Sequence, residues 1–117
     1  MATMGVALDG HTAGIMPFPE NSGRFQELFD GKNWIVAYDT EHKNPFRLRV
    51  TVTFAFLRQI DLVGVFMVGA EKGEVFKRLE SGIDLAEVPG RIIKSLPRGA
   101  LYVDRALISA AGYRVSK

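Results

Sequence analysis

The 117-residue sequence contains no cysteine. That excludes disulfides, thiolate metal sites and a cysteine nucleophile, and it fits a reducing compartment. Long apolar runs are also missing. The longest strongly apolar stretch, from Leu62 to Ala70, is about half of the ~20 residues that a membrane-spanning helix needs. The N-terminus lacks the charged start and continuous apolar stretch of a signal peptide. The expected location is therefore cytoplasmic. Histidine is scarce: His11 and His42 are the only two. Both fall in turn-like contexts, and neither lies in a metal-spaced cluster. None of the serines stands in a G-x-S-x-G elbow. Gly64, Gly69 and Gly73 fit neither common phosphate-loop pattern.

What remains is ordinary globular material, 47% hydrophobic and 24% charged. This length suits one domain able to bury a core without a staple. The formal net charge of +2 is too small to imply a nucleic-acid partner, but it is unevenly spread. Between residues 88 and 117, Arg91, Lys94, Arg98, Arg105, Arg114 and Lys117 face only Asp104, whereas residues 1–87 are net acidic. Such asymmetry marks a solvated basic face, an anionic partner, or a complementary contact between copies of the chain.

Residues 1–23 are rich in Gly, Pro, Ala and Thr and read as an extended arm, leaving 24–117 as a single domain. Ile15, Met16 and Phe18 give that arm apolar groups suited to docking on its own domain or on a neighbour in an oligomer. A short helix follows. Asn21 or Ser22 can cap it, Phe25, Leu28 and Phe29 share one face, and Asp30-Gly31 stops it. Trp34 to Tyr38 reads as a strand.

The strongest pattern runs from Phe46 to Phe56. Phe46, Leu48, Val50, Val52, Phe54 and Phe56 alternate with Arg47, Arg49, Thr51, Thr53 and Ala55. A strand with this period points its six apolar groups to one face. Burying them contributes on the order of 9–18 kcal/mol, at about 1.5–3 kcal/mol each. The expectation is an inward apolar face, with Arg47, Arg49, Thr51 and Thr53 forming an outward basic, hydroxylated stripe. Leu62 to Gly69 is apolar at both parities and reads as a central strand pairing antiparallel with it.

Residues 74–81 suit a short helix or an edge strand. A helix starting at Pro89 would bury Val88, Ile92, Ile93 and Leu96. Leu101–Val103 reads as a strand, 104–111 as a helical turn, and 112–115 as a last strand. The expected fold is α+β: a mainly antiparallel sheet of about four to five strands with one or two short helices packed on one face.

No segment matches a motif that names a family. The missing catalytic constellations, the apolar arm and the divided charge favour a non-catalytic assembly or interaction protein. It would be a homo-oligomer or bind another protein, with no cofactor and no metal. The alternative is an RNA- or DNA-binding module using Arg47, Arg49, Thr51, Thr53, Arg91, Lys94 and Arg98 on phosphates. Against it, stacking aromatics are expected on the opposite face of that strand. A third class is a small enzyme using His42 with Asp39 or Glu41.

Overall fold

The computed structural model describes residues 1–114. Among these residues, five strands form two sheets. β1 (Ala2–Gly5), β4 (Val63–Met67) and β5 (Gly99–Val103) make a wholly parallel sheet in the order β1-β4-β5. β2 (Ile35–Asp39) and β3 (Leu48–Val52) make a separate antiparallel pair, with Ile35 opposite Val52 and Asp39 opposite Leu48. The expectation of one mainly antiparallel sheet of four to five strands is overturned.

The break lies at Thr53. Its side chain caps α2 (Phe54–Leu57), so β3 stops at Val52 and the chain turns out of the strand direction before β4 begins. β4 carries apolar residues at both parities because it is the middle strand of a parallel sheet, where near-continuous apolar runs are usual. The return from β4 to β5 runs through α3 (Gly73–Glu80) and a 3₁₀ segment, Pro89–Ser95. Val75, Phe76, Leu79, Ile92 and Ile93 from this crossover are buried with Val63, Val65 and Met67 of β4. Asp104 then caps α4 (Arg105–Ala110), its carboxylate accepting the Leu107 N–H at 2.9 Å. Gly112–Arg114 form no strand, and Val115 lies outside the described residues. Among the described residues no helix is long and apolar enough to cross a membrane.

α1 (Ser22–Phe29) forms where the capping pattern predicts it, with the Asn21 side chain accepting the Arg24 N–H at 3.0 Å. Phe25 and Phe29 meet edge-on at 5.1 Å, and Phe29 meets Tyr38 the same way at 4.9 Å. Residues 1–23 are no free arm. Their first strand is part of the parallel sheet, and Ile15, Met16 and Phe18 are buried in this chain's own core, Phe18 against Phe29 and Tyr38.

The β2–β3 pair is oriented opposite to expectation. Thr51 and Thr53 are 6% and 1% exposed, while Phe46, Leu48 and Val50 are 74%, 80% and 71% exposed. The threonine face lies inward because it meets polar backbone rather than side-chain hydrocarbon. The Thr51 hydroxyl accepts the Gly14 N–H at 2.9 Å, and the Thr53 hydroxyl donates to the Asn33 carbonyl. A Cβ on Gly14 would stand 2.8 Å from the Thr51 Cβ, so the two backbones approach as closely as glycine allows.

Thr51→Val should therefore lower stability by about 1–3 kcal/mol, because it keeps the volume and orphans a buried N–H. Leu48→Thr should stay within about 0.5 kcal/mol, as an exposed site does. Chemical denaturation midpoints of the two variants check this; a larger loss at Leu48 than at Thr51 would reverse the assignment of faces.

Candidate active site

The three parallel strands end on the same edge of their sheet. In open α/β sheets that carboxyl edge is where ligands bind. The loop after β1 is the most constrained segment there. Gly10 is buried with φ +92°, a region that side chains rarely adopt, and a Cβ on it would lie 3.1 Å from Val88 Cγ1. Its N–H donates to the Ala7 carbonyl at 2.9 Å, and its carbonyl accepts the Gly90 N–H at 2.9 Å. Ala13 also has a positive φ, 50°. The Thr12 hydroxyl donates to the Gly5 carbonyl at 2.8 Å. Tyr38 closes the loop from below, its hydroxyl donating to the Gly14 carbonyl at 2.6 Å and accepting the Met16 N–H at 3.3 Å. Burial pushes the Tyr38 phenol above its ordinary value, so it stays a donor.

This turn brings Asp9 and His11 together. Asp9 Oδ1 lies 2.6 Å from His11 Nδ1 and also accepts the His11 backbone N–H at 3.0 Å. One carboxylate oxygen thus fixes both the backbone and the ring of the histidine. With Nδ1 as donor, a neutral ring carries its lone pair on Nε2, which is the form a general base needs. Burial pushes the Asp9 carboxyl up, the His11 ring and backbone N–H groups pull it down, and the net lies below the ordinary 3.8. His11 and Thr12 line a groove of about 470 Å³ with Ala2–Gly5, Ala7, Ala13, Val52, Phe56, Leu57 and Ile60.

The same edge carries the loop after β4. The Gly69 N–H donates to both Asp104 carboxylate oxygens at 3.2 Å, joining the ends of β4 and β5. Ala70–Lys72 is a 3₁₀ turn that leads into α3 and ends in Lys72, which is half-buried.

The residues singled out from the sequence do not converge. Arg47 pairs with Asp39 at 2.8 Å, and Lys94 pairs with Glu80 at 2.6 Å. Arg91 donates to the Leu79 carbonyl at 3.0 Å and to the Ile83 carbonyl, tying α3 to the crossover. Arg49 is half-buried on the inward face of β3, and Arg98 is exposed just before β5. Thr51 and Thr53 serve the backbone, as above. His42 and Glu41 sit exposed in the β2–β3 connection, where Asp39 accepts the Glu41 N–H at 2.7 Å. No cluster of three metal-ligating side chains occurs among the described residues.

The model of the family described as glucosamine-6-phosphate isomerases/6-phosphogluconolactonase matches residues 1–102. The chain belongs to this family. No curated protein is similar enough in sequence to match. Among solved structures, the 6-phosphogluconolactonase of Trypanosoma brucei superposes with a TM-score of 0.67 at 26% identity, covering 92% of this chain and 40% of that one. The 6-phosphogluconolactonase of Thermotoga maritima gives 0.65 at 22% identity, over 86% and 41% of the two chains. A monomeric glucosamine-6-phosphate deaminase gives 0.61 at 13% identity, over 92% and 46%. The chain thus spans about two-fifths of these relatives' length.

Membership of a family of enzymes overturns the expectation of a non-catalytic structural or assembly protein. It equally leaves the nucleic-acid reading without support. The candidate residues that sequence reasoning did not select are Asp9, which it left unremarked, and His11, which it read as a turn histidine. The available signal was the Asp-Gly-His run, an acid and an imidazole separated by a residue free to take positive φ.

The Asp9–His11 pair should also be visible in stability. A carboxyl held below its unfolded value stabilises the fold above that value and ceases to as pH falls through the folded one. Wild type should therefore exceed Asp9→Asn in denaturation midpoint near neutrality, and the gap should close as pH drops below the ordinary 3.8. A gap that is constant from pH 7 to pH 3 would show that the pair contributes nothing.

Proposed function

We propose that this chain carries the catalytic histidine of a phosphosugar-lactone hydrolase and that His11 is its general base. The observation that carries the reading is the 2.6 Å contact between Asp9 and His11 Nδ1 at the carboxyl edge of a parallel sheet. A lactone needs little beyond an activated water and a proton donor for its leaving oxygen, and one oriented imidazole supplies both in turn.

His11 Nε2 takes a proton from water as the oxygen adds to the lactone carbonyl carbon. The tetrahedral intermediate then collapses with cleavage of the bond from that carbon to the ring oxygen. The imidazolium returns its proton to the ring oxygen, which leaves as a hydroxyl, and the carbonyl carbon ends as a carboxylic acid. Asp9 holds the ring orientation and stabilises the imidazolium between the two transfers. No step consumes a cofactor.

The substrate is 6-phosphogluconolactone, by the name of the Trypanosoma brucei relative that shares 26% of the sequence. The deaminase likeness, at 13% identity, supports the fold only. The phosphate is bound by Lys72, which adds a positive charge beside the N-terminal turn of α3. We place the protein in the cytoplasm, a location that suits a chain without cysteine.

His11→Ala should lower the rate of lactone hydrolysis by about 10²–10⁴-fold, and Asp9→Asn should lower it less, with unchanged folding by circular dichroism. Lys72→Ala should act mainly on KM, raising it roughly 10–100-fold, the worth of one charge-assisted hydrogen bond. Stopped-flow assays on 6-phosphogluconolactone, corrected for spontaneous hydrolysis, separate these effects. Full activity in His11→Ala would remove the reading.

A further inference from the structure

The β2–β3 ribbon has one covered face and one open face. On the open side Ile35, Leu48 and Val50, with Phe46 just before β3, are 62%, 80%, 71% and 74% exposed. Residues opposed in an antiparallel pair point the same way. Ala37 lies opposite Val50 and Asp39 opposite Leu48, so both share that side. The small Ala37 leaves a hollow of about 330 Å³ beside Asp39, Leu48 and Val50, and the face is indented rather than flat. A phenylalanine alone carries about 150–250 Å² of surface, which makes the four large side chains a patch on the order of 500 Å². Single exposed apolar residues are ordinary, but a contiguous patch of this size marks a contact surface. The weaker class of specific dimers buries up to ~600 Å² from each copy, which the patch and its rim supply.

Charge selects the occupant. Lys32 precedes the ribbon at its Ile35 end, and Glu41 follows β2 at its Asp39 end. Both are exposed, and among the described residues neither forms an ion pair. They do not reach each other, because β2 lies between them and spans ~13 Å. The other charges at the two ends are taken: Arg47 by Asp39, Lys43 by Glu20, and Asp30 by Arg58. One end of the ribbon thus keeps a spare cation and the other a spare anion. The surface that complements both at once is the same ribbon reversed.

We propose that two copies of this chain stack the open faces of their β2–β3 ribbons about a two-fold axis. The axis lies in the interface and crosses the strands near Ala37 and Val50. It sets Lys32 of each copy beside Glu41 of the other, giving two equivalent ion pairs at the rim. An axis along the strands would set like charges against each other, which such interfaces avoid. Stacking also gives a two-stranded ribbon, marginal by itself, a second sheet at the ~10 Å spacing of sandwiches. The patch is on the side turned away from Gly14, where the Thr51 hydroxyl points. The proposal does not rest on the lactonase reading, so its test reads mass and not turnover.

Sedimentation equilibrium of the 117-residue chain at low salt, from roughly 1 to 300 µM, should show a monomer–dimer equilibrium with a Kd on the order of 10 µM. Val50→Glu puts a charge at the centre of the patch and should weaken the dimer about tenfold or more. Lys32→Glu and Glu41→Lys should each weaken it about 3–10-fold. An equimolar mixture of those two variants should recover the wild-type affinity, because each supplies the charge that the other lacks. All three sites are exposed, and circular dichroism should show each variant folded. Three results would each overturn the proposal: a chain that stays monomeric throughout, which leaves the patch to a different protein; a dimer indifferent to Val50→Glu; or a mixture no tighter than its two components alone.

Discussion

Residues 6–16 are held by hydrogen bonds to partners distant in sequence, and the rest of the candidate site follows from that restraint. Gly90 donates to Gly10, Thr51 receives the Gly14 N–H, and Tyr38 donates to the Gly14 carbonyl. Three separate parts of the chain therefore fix one loop. Each partner is buried or half-buried, so releasing any of them leaves a polar group short of water. The loop tolerates positive φ at Gly10 and Ala13 because these contacts over-determine its path. Asp9 and His11 inherit their mutual geometry from the same path.

The restraint also explains the inverted β2–β3 pair. A strand buries whichever face meets a complementary surface. The surface offered by residues 12–16 brings the Gly14 N–H to close range, and the Thr51 hydroxyl satisfies it while leucine or phenylalanine cannot. Leu48 and Val50 are left outside as the consequence. They form an exposed apolar surface on the outer face of the β2–β3 pair. The stacked Phe66–Tyr102 pair on the open face of the parallel sheet has the same character.

The local elements were largely legible. The helix at Ser22–Phe29 follows from Asn21 and the spacing of Phe25, Leu28 and Phe29. The strands around Ile35–Asp39, Leu48–Val52, Val63–Met67 and Leu101 follow from β-branched and aromatic runs. Pairing was not legible. The run Phe46–Phe56 keeps its period of two past the end of β3, because Phe54 and Phe56 are apolar for reasons of a helical turn capped by Thr53. Alternation therefore continued across a change of structure that it could not register. The candidate site was legible only as residue types: His11 looked like a turn histidine, and it is in a turn.

Composition and order alone determined that this chain forms a single cysteine-free core with short helices and strands where they occur, because capping and side-chain periodicity act within a few residues. Tertiary structure decided which strands run parallel, which face of β3 is covered, and that Asp9 and His11 are held as a pair at the sheet's carboxyl edge. Those outcomes depend on contacts such as Gly14 with Thr51 and Gly10 with Gly90, whose partners lie dozens of residues apart. Distance along the chain hides them until the backbone closes.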